Sequence, residues 1–115
     1  MVRTKEEFSV QEYPMCCGGT GITLVTDILA AGEIYAHPKV VAHAVMKEKD
    51  SIGWHVHKNE MEAYIILSGE GVFNDNGKEV IVKPFDVTIT LSDEGHAIRP
   101  TQGNGLELLA LIFEK

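Results

Sequence analysis

The sequence of 115 residues contains no long apolar run and no cluster of basic residues. No apolar stretch approaches the roughly 20 residues that span a bilayer, and the segment from Met1 to Glu7 lacks the apolar core of a signal peptide. The formal net charge is −7. Nucleic acids and anionic membranes bind to positive surfaces, so the sequence predicts neither as a partner. We expect a cytoplasmic protein.

Cysteine is scarce, and the two cysteines, Cys16 and Cys17, are adjacent in a glycine-rich segment. A bridge between neighbouring cysteines is strained and uncommon, and cytosolic thiols stay reduced. We interpret them as two thiols without a special role, with a redox or auxiliary metal role as the alternative. No Gly-Lys-Ser or Gly-Lys-Thr follows the glycines, which excludes a phosphate-binding loop.

Strand signals outnumber helix signals along the chain. Residues 22–29 and 40–48 are rich in branched side chains, which favours strands. Asn76-Gly77 lies between two apolar runs and predicts a hairpin, and residues 102–105 predict a further turn before a last strand over 106–113. Many short strands at this spacing indicate a sandwich or a barrel.

One compact domain fits the length and composition. A chain of 115 residues is near the modal domain size, and 44% of the residues are hydrophobic. The sequence contains no internal repeat or low-complexity linker, and only residues 30–33 suggest a helical turn.

Three histidines and one glutamate form a candidate ligand set for a divalent metal ion. His55 and His57 are two residues apart, so they share one face of a strand. A tight return of four residues follows, and Glu62 opens the next apolar run, from which it can face back toward the histidines. His96 follows a turn of its own. Three imidazoles and a carboxylate suit a transition metal.

The other candidate ligands fit the pattern less well. His37 precedes a proline in a predicted loop, and His43 lies in an apolar strand with no partner at ligand spacing. Glu60 also follows His57 closely and is the main rival to Glu62, but we expect it to cap or hydrate the turn.

This arrangement resembles the cupin superfamily. Its first motif has a glycine, His-x-His, a glutamate and a second glycine, which match Gly53, His55, His57, Glu62 and Gly69. Its second motif resembles the segment from Pro84-Phe85-Asp86 to Gly95-His96, with Phe85 where the motif often has glycine. The resemblance covers about residues 39–114.

The resemblance implies an all-β fold, a single-domain cupin double-stranded β-helix or jelly-roll barrel. Residues 1–38 would form N-terminal strands or an arm, and residues 39–115 the barrel. It also implies one divalent transition metal, of which manganese, iron, nickel and zinc are the candidates, held by the four motif side chains His55, His57, Glu62 and His96.

Strand parity predicts the two faces of the barrel wall. If the ligands face inward, so do Tyr64 and Ile66, while Ala63 and Ile65 face outward, and the last strand is apolar on both faces as well. Strands that are apolar on both sides are buried on both sides. We therefore expect a homodimer, with coverage of the outer face by residues 1–38 as the alternative.

Function is predicted less sharply than the metal site. Oxalate decarboxylases of the two-domain cupin type carry an arginine three residues before the first motif histidine, where this chain has Ile52. A buried dianion needs a paired cation. By strand parity, Tyr64 is the one inward polar residue near the four candidate ligands. Such a pocket fits a neutral or aromatic substrate better than oxalate, with Tyr64 as a tentative catalytic residue. We consider a small metalloenzyme of dioxygenase, isomerase or decarboxylase type, and as the alternative a non-catalytic module that binds or senses a metal or small ligand.

Overall fold

The computed structural model describes residues 3–28 and 38–115, and these form an antiparallel all-β structure. The strands are β1 (Gln11–Pro14), β2 (Ile22–Asp27), β3 (Pro38–Met46), β4 (Ile52–Val56), β5 (Glu60–Gly69), β6 (Gly71–Asp75), β7 (Lys78–Val82), β8 (Val87–Thr90), β9 (Gly95–Pro100) and β10 (Leu106–Glu114). Two short 3-10 helices cover Lys5–Glu7 and Cys16–Gly18. None of the helices in these ranges is long and apolar enough to cross a membrane.

Two sheets pack face to face and enclose the core. The six-stranded sheet has the order β1-β2-β3-β10-β5-β8, and the four-stranded sheet has the order β4-β9-β6-β7. Alternate residues of β5 and β10 face inward, as strand parity predicts, and among them Ile66 and Leu108 have no exposed surface. Ile98 of β9 closes the core from the opposite sheet.

The predicted strands and turns agree with the structure to within a few residues. β3 ends at Met46 because the Asp50 carboxylate accepts a hydrogen bond from the Lys47 backbone N–H at 2.6 Å and turns the chain. Asn76 and Gly77 both have positive φ, 51° and 104°, the conformation of a tight hairpin turn between β6 and β7. The predicted helical turn at 30–33 and the loop around His37 lie outside the described residues.

Gly69 ends β5 at a point where the fold requires glycine. Its φ is +84°, and a Cβ there would lie 1.9 Å from the Gly105 carbonyl oxygen. A larger residue would therefore force apart β5 and the start of β10, which explains a glycine at this motif position.

The outer face of the six-stranded sheet stays partly open. Ala63 lies opposite Ile89 on one side and Leu111 on the other, and Ile65 lies between Val87 and Leu109. Ile89 and Val87 are 57% and 55% exposed. β1 and β2 extend the same sheet at its far edge, next to β3.

Candidate metal centre

The three histidines come from the four-stranded sheet. His55 on β4 and His96 on β9 are direct partners in the antiparallel register, so their side chains share a face. His57 follows the last residue of β4, and its backbone N–H bonds to the Glu94 carbonyl oxygen at 3.1 Å. The three imidazole rings have centroids 4.6–4.9 Å apart.

The carboxylate comes from the opposite sheet. Glu62 on β5 is 5% exposed and faces the histidines across the barrel. Its register partner is Thr90 on β8, which also faces inward and is 1% exposed. The two sheets therefore meet at this group, which joins residues more than 30 positions apart.

Four ligand atoms converge on one point. Nε2 of His96 lies 3.1 Å from Nε2 of His55 and 3.1 Å from Nε2 of His57, and Oε1 of Glu62 lies 3.0 Å from Nε2 of both His57 and His96. All four atoms lie within 4.8 Å of one another. The structure thus brings together all four predicted ligands, His55, His57, Glu62 and His96.

The hydrogen bonds made by Nδ1 of the histidines determine which ring nitrogen presents a lone pair to the site. Nδ1 of His55 lies 2.8 Å from the Gly53 carbonyl oxygen, and Nδ1 of His57 lies 2.8 Å from Oε1 of Glu60. A carbonyl and a carboxylate can only accept, so in each neutral ring Nδ1 carries the hydrogen and Nε2 presents its lone pair. Nδ1 of His96 lies 2.8 Å from Oγ1 of Thr90.

This donor set fits a bound cation. Lone pairs of nitrogen and a carboxylate oxygen face each other across about 3 Å, an arrangement that a shared positive ion stabilises. With metal–ligand distances of about 2.1 Å, neighbouring ligands lie about 3.0 Å apart in an octahedron and about 3.4 Å apart in a tetrahedron. The four observed spacings of 3.0–3.1 Å are therefore short enough for neighbouring atoms to contact one ion.

Glu60 has a different position from the one expected of a turn cap. Its carboxylate holds Nδ1 of His57 and also accepts from Nζ of Lys39 at 3.1 Å. Partial burial opposes its ionisation, but the hydrogen bonds from His57 and Lys39 prevail and hold the pKa of Glu60 below its usual value. Glu60 therefore orients the His57 ring, and its spacing of three residues from His57 was the available sequence signal.

Tyr64 lies inward, as predicted, directly behind His96. Its ring stacks on the His96 ring at a centroid distance of 5.0 Å and an interplanar angle of 11°. The side chain is 2% exposed, and its burial, together with the charge of Glu62 and a hydrogen bond to that carboxylate, raises the pKa of Tyr64 well above its usual value. Its phenol thus stays protonated.

A cavity of about 320 Å³ opens over His55, His57 and Glu62. Its wall is mainly aliphatic and includes Ile52, the residue at the decarboxylase arginine position. The aliphatic side chains from β2, β3 and β10 are Val25, Val40, Ala42, Ala44, Leu108, Ala110 and Ile112. Among the described residues that line it there is no lysine or arginine.

Cys16 and Cys17 also line this cavity, which their sequence context did not reveal. The contact with Cys16 is the largest cause that lowers the pKa of Cys17 to about 4, and the neighbouring His55 also lowers it, whereas the contact with Cys17 raises the pKa of Cys16. The contact with Cys17 is also the largest cause of the raised pKa of His55, and partial burial opposes it. The thiols therefore belong to the surroundings of the candidate site.

Three other residues lie away from the site, and for His43 the sequence predicts this. His43 faces outward and bonds through Nε2 to Oε2 of Glu107 at 2.8 Å. Arg99 pairs with Glu79, and Lys58 pairs with Asp93, both at 2.9 Å on the surface.

The family model of the cupin domain matches residues 42–112, more than half of the chain. The chain belongs to the cupin family. A curated relative, the Oxalate-binding protein of Thermotoga maritima, is 37% identical over 113 residues, which cover 98% of this cupin and 93% of the relative.

Solved structures agree with this assignment. A Thermotoga maritima crystal structure described as a predicted oxalate decarboxylase is 36% identical, covers 100% of both chains and has a TM-score of 0.94. The polyketide cyclase RemF from Streptomyces resistomycificus has a TM-score of 0.78 over 98% of this cupin and 79% of that chain, at 15% identity. The second likeness concerns the fold alone.

Proposed function

We propose that this cupin binds one divalent transition-metal ion through His55, His57, Glu62 and His96 and uses it to bind a small chelating carboxylate of the oxalate class. The observation that carries the proposal is the convergence of four acceptor atoms within 4.8 Å of one another, with four of their spacings at 3.0–3.1 Å. The ion would supply a Lewis acid with positions left open toward the cavity.

The name of the curated relative supports this choice of ligand. The Thermotoga protein is described as oxalate-binding and is 37% identical over nearly the whole chain. The sequence alone favoured a neutral or aromatic substrate because the cavity wall lacks a cation. A chelating dicarboxylate needs no such cation to attach, since both of its carboxylates can face the metal.

The balance of charge indicates binding rather than turnover. A divalent ion with Glu62 carries one net positive charge, so bound oxalate leaves one negative charge that no lysine or arginine of the described cavity wall can pair. Decarboxylation of oxalate also needs a proton for the product formate. Tyr64 is a poor acid because burial and the charge of Glu62 raise its pKa.

The test is calorimetric titration of manganese-loaded protein with oxalate and, separately, with acetate. We expect one oxalate per chain and weaker binding of acetate, whose single carboxylate cannot form the five-membered chelate ring that oxalate forms. The same protein should release formate from oxalate no faster than free manganese does.

The matched control is the metal-free protein together with the His57→Ala variant. Neither should bind oxalate. Equal oxalate binding by metal-loaded and metal-free protein would contradict the proposed role of the ion, and rapid formate release would contradict the absence of turnover.

The aliphatic wall of the cavity favours a second candidate, a small metalloenzyme that acts on a neutral or aromatic substrate. The 320 Å³ volume exceeds what oxalate fills, and Tyr64 would then orient the substrate. A screen of metabolites for increases in melting temperature would identify such a substrate. The Tyr64→Phe variant should keep its metal and lose part of its turnover, and an unchanged rate would leave Tyr64 without a catalytic role.

We further propose that the protein is a homodimer. The apolar rows on the outer face of β8, β5 and β10 are continuous across three strands. Apolar patches of this kind on a sheet are usually covered by another protein surface. A second copy of the chain supplies the same apolar chemistry and closes the assembly by two-fold symmetry.

A further inference from the structure

The two adjacent cysteines face the same cavity because the backbone around them is left-handed. Met15 and Cys17 have φ values of 46° and 53°. Adjacent side chains on an extended chain point in opposite directions. Here the turn at Cys16–Gly18 brings both thiols to the cavity, with Sγ atoms 4.0 Å apart.

Close backbone packing holds this turn against the start of β4. A Cβ on Gly53 would lie 2.4 Å from the Cys17 carbonyl oxygen, so only glycine allows the approach. Thr20 and Ser51 tie the following residues to the same strand, since the backbone N–H of each donates to an oxygen of the other at 2.8 Å. The thiol pair thus has a fixed place beside His55.

We propose that Cys16 and Cys17 form a two-thiol binding site for a thiophilic ion, of which trivalent arsenic is the class best suited to a pair of sulfurs. Thiolates are soft ligands and select soft ions. Trivalent arsenic is three-coordinate and pyramidal with angles of about 95°, so two sulfurs at about 2.3 Å from it lie about 3.4 Å apart, about 0.6 Å closer than the observed 4.0 Å. Small side-chain rotations are enough to close the site.

This site is distinct from the proposed metal centre. The converging ligand group comprises three histidines and Glu62, and neither thiol belongs to it. Cys17 is exposed and Cys16 partly so, whereas His57, Glu62 and His96 are buried. An ion held by the thiols would therefore lie at the mouth of the cavity, between solvent and the buried ligands.

Phenylarsine oxide is a suitable probe because its reaction is balanced without a change of oxidation state. Each of the two thiols gives up a proton, two arsenic–sulfur bonds form, and the arsenic-bound oxygen leaves as water. The chain contains no other cysteine, so every reacted thiol belongs to the proposed site.

Mass spectrometry and thiol titration test the proposal on the full chain. We expect one phenylarsenic group per chain and loss of both titratable thiols. Cys16→Ser and Cys17→Ser should each bind the probe roughly a hundredfold more weakly, since one of two linked bonds cannot form. His57→Ala, which removes a proposed metal ligand, should bind it as the wild type does.

Protection of both wild-type thiols is decisive even if a serine variant folds poorly. The two-thiol site would be overturned by any of three results: protection of only one thiol, a probe that links two chains, or a folded single variant that binds the probe as tightly as the wild type does. Loss of probe binding in a folded His57→Ala protein would overturn its independence from the metal centre.

Discussion

Glu60→Ala offers a sharp test of how the candidate site is oriented. The Glu60 carboxylate holds Nδ1 of His57 at 2.8 Å, and Lys39 holds the carboxylate in turn. Removal of such an outer partner lowers metal affinity by about 10- to 100-fold, or about 1.4–2.7 kcal/mol. His57 would lose both its fixed ring orientation and the negative charge that makes Nε2 a stronger ligand. We therefore expect Glu60→Ala to bind manganese more weakly by that factor.

The assay is competition for manganese against a chelator of known affinity at constant pH. Glu60→Gln keeps a hydrogen-bond acceptor but loses the charge, so its affinity should fall between those of the wild type and the alanine variant. Lys39→Met removes the other partner of Glu60 and leaves the contact with His57, and it should change the affinity by less than the alanine variant does. Wild-type affinity in a folded Glu60→Ala protein would refute the orienting role.

Three further outcomes follow from particular contacts. Thr90→Val removes the hydroxyl that lies 2.8 Å from Nδ1 of His96 and should lower metal affinity by about tenfold. An affinity equal to that of the wild type in the chelator assay would show that the hydroxyl is not needed. Phe85→Gly should raise the free energy of unfolding by about 0.5–1 kcal/mol in urea titrations. Phe85 has a φ of +70°, which strains the backbone of a non-glycine residue, and its side chain is 83% exposed. A loss of stability in this variant would contradict the inferred backbone strain. Light scattering should give twice the mass of 12.6 kDa, and Leu111→Glu should weaken the dimer, whereas a monomeric wild type at all concentrations would contradict the proposed interface.

The convergence of His55, His57 and Glu62 was predictable because it depends on local strand geometry, whereas His96, 34 residues after Glu62, was assigned from its own turn and the second cupin motif. His55 and His57 share a face by parity, and Glu62 returns on the next strand after a short turn. The inward position of Tyr64 followed from the same parity. These relations span fewer than ten residues, so the sequence pattern contains them.

The supporting residues were harder to predict because they depend on pairing between distant strands. Thr90 reaches His96 only because the register places it opposite Glu62 on β8. The orientation of the two thiols depends on left-handed conformations at Met15 and Cys17, residue types for which positive φ is uncommon. Phe85 also has a left-handed backbone conformation, and it occupies a position where the family motif often has glycine.

The metal content of the purified protein tests the central claim most directly. Protein prepared without a metal-affinity tag should contain close to one transition-metal ion per chain by elemental analysis. His57→Ala should lose most of that metal, because one of four converging ligands is gone. His43→Ala should retain it, because His43 bonds to Glu107 on the outer face. Equal metal content in the two variants, or a wild type without metal after incubation with manganese, iron and nickel, would contradict the assignment.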